Sequence, residues 1–184
     1  FFQTSAILKM KKQKKRSVNL QHAKKQQGPP REVIQSIIDS FSKGQKKEAI
    51  IAIETLTKDF PLEALLFNVC GSFYQSTGQL DLAVKKFEKA LTLQPEYSEV
   101  HYNLGVTLRE LGKIEEAISC YKNAILLKHA YPNAHYNLGN ALITLKKYDD
   151  AIIHFSFAVA INPKFSEAYN NLGLAHKSLE NDFE

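Results

Sequence analysis

Gly71, Gly105, Gly139 and Gly173 stand 34 residues apart, and Ala83, Ala117 and Ala151 keep the same interval in the segments that follow the first three. A fixed period with small residues at two phases restricts the chain to a repeated two-helix unit. Each such unit alone leaves an apolar face that only its neighbours can cover. The 184 residues therefore read as an open array and not as a globule around one centre. The period divides them into a basic tail at 1–30, an atypical cap-like helix pair at 31–61, and full units at 62–95, 96–129 and 130–163. The first helix of a further unit occupies 164–184.

Inside a unit the apolar residues recur at intervals of three and four, as in Leu138, Gly139 and Leu142 and then Ala151, Phe155 and Ala158, which places them on one stripe of each helix. The small residues mark where the two helices cross most closely, since a larger side chain there would hold the backbones apart. Pro95 and Pro163 close the second helices of their units, and Gly44, Gly78 and Gly112 fall between helices, where a left-handed cap suits glycine. Two positions break the pattern: Lys146 stands where that inter-helix glycine is due. His129 replaces the closing proline, so its turn is expected to be longer or less sharply bent. In residues 31–61, Ile37 occupies the place of the first-helix glycine.

With 44% hydrophobic residues and no apolar run near the roughly 20 residues of a spanning helix, the chain is expected to be soluble and cytoplasmic. Cys70 and Cys120 lie in helical patterns without a CxxC, so reduced thiols are expected. Residues 1–31 hold nine Lys or Arg and no acid, which leaves 15 basic against 19 acidic side chains in the remaining 153, a net of −4. The segment from Lys9 to Gln27 is poor in large apolar residues and is expected to be disordered. Its lysines would stay solvated, fold back on the acidic array, or touch nucleic acid or an anionic membrane surface weakly. Met10 opens the run MKKQKKR and reads as a start, and the missing second helix of the last unit suggests a piece of a longer protein.

Taken together, Gly71, Tyr74, Ala83, Phe87 and Pro95 and their counterparts one and two periods on resemble the tetratricopeptide repeat (TPR) family over residues 62–184. That resemblance implies an all-α fold, a right-handed α-α superhelix whose first helices line a concave groove for ligand peptides. Asn103, Asn137 and Asn171 each precede a Leu-Gly pair, and this recurrence is similar to the arrays of O-GlcNAc transferases and of related bacterial sulfotransferase-type multidomain proteins. The groove residues expected on this basis are Asn68, Tyr102, Asn103, Tyr136, Asn137, Asn140, Asn170 and Asn171. An asparagine ladder offers amide donors and acceptors to the backbone of an extended peptide without reading its side chains, or else serves the packing of repeat on repeat.

The function expected is a non-catalytic module that binds a protein or peptide. The alternative is the substrate-selecting arm of a glycosyltransferase or sulfotransferase whose catalytic domain lies outside the chain. No Ser-His-Asp set or phosphate-cradling glycine loop is visible, and no cofactor is expected. His101 and His135 recur on successive units, but repeats 8–10 Å apart cannot bring them to one ion. They read as partly buried packing histidines, and so do His154 and His176. A chaperone clamp for a C-terminal carboxylate is disfavoured, because its lysine places hold Asn68, Tyr102, Tyr136 and Asn170.

Overall fold

From residue 31 to residue 161 each helix stops where the backbone turns left-handed or extended, and these stops follow the 34-residue period. A computed structural model describes residues 28–181, so the basic tail lies almost wholly outside the described residues. The described residues form nine helices: α1 (Arg31–Ser42), α2 (Lys46–Asp59), α3 (Ala64–Ser76), α4 (Leu80–Leu93), α5 (Ser98–Glu110), α6 (Ile114–Leu127), α7 (Pro132–Thr144), α8 (Tyr148–Ile161) and α9 (Ser166–Asn181). No strand occurs among them, and none of the helices is long and apolar enough to cross a membrane. The chain divides into two units, residues 1–63 and 64–184. The first contains the α1–α2 hairpin, with Ile34, Ala49 and Ile53 buried.

One cap joins the two helices of every hairpin. Gly44, Gly78 and Gly112 have φ of +92°, +75° and +78°, and the amide of the residue after each glycine reaches back to a carbonyl five residues earlier, as from Gln79 to Tyr74 at 2.9 Å and from Lys113 to Leu108 at 2.9 Å. This is the Schellman arrangement, in which a left-handed residue lets the chain satisfy carbonyls that the helix leaves open. Lys146 adopts the same geometry with φ +56°, and Lys147 N bonds Leu142 O at 2.9 Å. A side chain in this region costs about 1–2 kcal/mol. Lys146→Gly is therefore expected to stabilise the array by about 1 kcal/mol in urea denaturation, and a loss of stability would refute the strain.

In the second unit, helices α3 to α9 pack each on the next, and the first helices α3, α5, α7 and α9 also touch one another across the repeats. The second helices α4, α6 and α8 do not approach one another to that degree, so the first helices form the inner row of a solenoid. Within each hairpin a glycine faces a ring. A β-carbon at Gly71, Gly105 or Gly139 would stand 2.7, 2.7 or 2.6 Å from Cε1 of Phe87, Tyr121 or Phe155, all three of them fully buried. Glycine is thus required by contact and not by backbone freedom at these helical positions. Gly173 meets nothing within 4 Å.

The connection at His129 is not longer than its counterparts, although it is a bend where they are hydrogen-bonded turns, with Tyr131 N bonding His129 O at 3.0 Å. Residues 94–97, 128–131 and 162–165 are connections of equal length. His129 Nδ1 bonds the Ile125 carbonyl at 3.1 Å, which closes the end of α6, and Pro132 enters as the first residue of α7 with its φ already suited to a helix. The stiffness missing at 129 is supplied three residues later.

Candidate functional site

The asparagines lie on the first helices, and their amides point back along the array. Asn103 Nδ2 donates to Asn68 Oδ1 at 3.0 Å, Asn137 Nδ2 to the Tyr102 hydroxyl at 3.0 Å, and Asn171 Nδ2 to the Tyr136 hydroxyl at 3.3 Å and to Asn140 Oδ1 at 2.7 Å. Three of these bonds span 35 residues, so every rung ties one repeat to the one before it. Asn68 and Asn137 are buried, while Tyr102, Asn103, Tyr136, Asn140 and Asn171 are half-buried and Asn170 is exposed. The row therefore begins as a repeat-to-repeat link. Both N–H bonds of Asn171 are spent in this way, so toward a ligand it offers only its carbonyl.

Three aromatic residues that the sequence reading passed over complete the wall. Tyr97, Tyr131 and Phe165 each precede a first helix and are themselves 34 residues apart. Tyr131 lies 5.1 Å from the Tyr102 ring and Phe165 lies 4.9 Å from the Tyr136 ring, centroid to centroid, and Tyr97 is half-buried. Burial is the main cause that raises the Tyr102 and Tyr131 hydroxyls, Tyr131 to about 12, so both stay protonated across the physiological range. The signal that would have found them was the same period at a third phase. Tyr121 stands where the neighbouring hairpins carry phenylalanine, and its buried hydroxyl has no partner among the described residues.

The histidines divide. His101 Nε2 bonds the Pro95 carbonyl at 2.9 Å, and its Nδ1 is buried without a partner. His135 is buried, and its Nδ1 lies 3.1 Å from Nδ1 of half-buried His154. His176 is exposed, contrary to the packing role expected of it. It holds the phase of buried Leu108 and Leu142, but no described helix covers that face of α9. Cys70 is buried and Cys120 half-buried, and burial raises the Cys120 thiol to about 11.

Two imidazoles can share only one bridging proton, so a second proton breaks the His135–His154 bond. Burial lowers both, and with His135 alongside it His154 falls to about 4, while the His129 backbone and Asp150 oppose the effect. The unfolded chain, with its histidines near 6.5, then takes up protons first. Stability is complete above about pH 6.5 and is lost as the pH falls toward about 4. Melting in EDTA-containing buffers should show this loss, shallower in His154→Asn; identical pH profiles would refute it.

Antiparallel helix hairpins stacked in sequence order, with an inner wall of polar and aromatic side chains, define a helical-repeat protein. Residues 71–108 and 107–146 match the family model described as TPR repeat, and residues 132–165 match that described as Tetratricopeptide repeat. The chain belongs to the tetratricopeptide repeat family. No curated protein matches it significantly. Among solved structures, one of MamA is similar at 27% identity and a TM-score of 0.74, covering 77% of this chain and 83% of its own. The first TPR of Spaghetti (RPAP3), bound to the HSP90 peptide SRMEEVD, is similar at 25% identity and a TM-score of 0.62, covering 64% and 93%. YrrB, a TPR protein with an unusual peptide-binding site, shares the fold at 21% identity and a TM-score of 0.72, covering 90% and 84%.

Proposed function

We propose that residues 64–181 bind an extended stretch of a partner polypeptide along the first helices, as a non-catalytic interaction module. The observation that carries this reading is the row of Asn103, Asn137 and Asn171. The amide of each is fixed by the preceding repeat, and its Oδ1 takes no bond from the described residues. Carbonyls held in register accept backbone N–H groups of an extended chain whatever its side chains are. Tyr102 and Tyr136 add apolar faces with little conformational freedom to lose. The first TPR of RPAP3 holds a peptide, SRMEEVD, and its likeness to this chain supports the general mode. The acidic preference of such a peptide is not expected here, because Asn68, Tyr102, Tyr136 and Asn170 supply no positive charge.

The test is an array of immobilised eight-residue peptides with uncharged side chains, with SRMEEVD as the acidic comparison. Replacing Asn103, Asn137 and Asn171 together by alanine removes about 1 kcal/mol per rung and should weaken retention on the uncharged peptides on the order of 100-fold. Circular dichroism at the assay temperature should remain helical. Equal retention by the triple variant, or retention of SRMEEVD alone, would exclude the proposed groove chemistry.

A further inference from the structure

The contact between His135 and His154 lies inside the α7–α8 hairpin and plays no part in the ladder. Their Nδ1 atoms are 3.1 Å apart, and the rings are tilted by 35° at a centroid distance of 5.4 Å. We propose that these two nitrogens form a binding site for one first-row divalent ion of the zinc, copper or nickel class, with water completing its coordination. Two imidazoles on a tetrahedral zinc, each about 2.0–2.1 Å from the metal, stand roughly 3.3 Å apart. An ion can therefore replace the bridging proton with a shift of a few tenths of an ångström.

The surroundings favour ligation in four ways. Burial keeps both rings in the neutral form that binds metal. The two nitrogens are carried by neighbouring packed helices, which hold them at a fixed separation. Asp150, one turn before His154 on α8, is exposed and supplies a negative charge, against which Lys122 on α6 acts. Phe157 covers His135 at 5.2 Å and shields one side of the pair. Among the described residues no three His, Cys, Asp or Glu side chains converge. The ion accordingly keeps waters and exchanges, unlike a closed structural zinc.

Zinc chloride alone is titrated into the 184-residue chain by calorimetry, and thermal melts are run with zinc and then with excess EDTA. The expected result is one binding event that His154→Gln weakens about tenfold or more, and a zinc-dependent rise in Tm that EDTA reverses and the variant lacks. Long-range nitrogen–proton spectra of the unsubstituted chain decide the matter without a variant: the imidazole signals of His135 and His154 should move together as zinc is added. Zinc affinity equal in the two proteins, or signal changes confined to exposed His129 and His176, would overturn the site.

Discussion

Gly139→Leu lowers the stability of the array by about 3 kcal/mol, whereas Gly173→Ala raises it by up to about 1 kcal/mol. The opposite signs follow from what each glycine faces. At Gly139 the first added carbon would stand 2.6 Å from Cε1 of Phe155, whose ring is fully buried and has no room to turn aside. Leucine then adds three more carbons to a packed crossing, and the helices must separate. At Gly173 an added carbon meets nothing within 4 Å, and the residue lies inside α9. There alanine only removes the conformational freedom that glycine would lose on folding. Urea denaturation of the two variants beside the parent checks this. A Gly139→Leu protein as stable as the parent would show that the crossing is loose.

Phe155→Ala is expected to cost about 3–5 kcal/mol, since it empties the centre of the α7–α8 hairpin. The ring fills the gap over Gly139 and also stands 5.9 Å from the Tyr136 ring, so its loss slackens both the hairpin and the wall behind it. The double variant Gly139→Leu/Phe155→Ala should lose less than the sum of the two, because the leucine side chain then has space to occupy. Strict additivity in a double-mutant cycle would mean that glycine and ring do not form one packing unit.

The glycines, alanines and rings were legible in the sequence because each is forced by a contact that recurs with the period. Gly44, Gly78 and Gly112 likewise announced their left-handed caps. Lys146 marks how far such reading extends, since the hairpin around it imposes the same φ on a residue that disfavours it. The length of the connection at His129 was misread because proline was treated as its determinant. That length is set by how α6 must pack on α7, and Pro132 serves equally well.

The site was harder to read. The recurrence of Asn103, Asn137 and Asn171 gave their helix face, but not that their N–H groups are turned to the preceding repeat. That orientation depends on the hydroxyls of Tyr102 and Tyr136, which lie 35 residues away from their donors. The His135–His154 contact carries no periodic signal at all. At the matching places the previous unit has His101 and Cys120, so only the packing of α7 on α8 brings two imidazoles together.

The rungs of the ladder all run one way, from an asparagine to an acceptor in the unit before it. A unit thus arrives with its own donor and finds the acceptor already in place, while its tyrosine becomes the acceptor for its successor. Tandem duplication of a stretch such as residues 98–131 would therefore insert a new joint without altering the chemistry of the old ones. Lengthening by gene copying needs no compensating substitution on either side of the insertion.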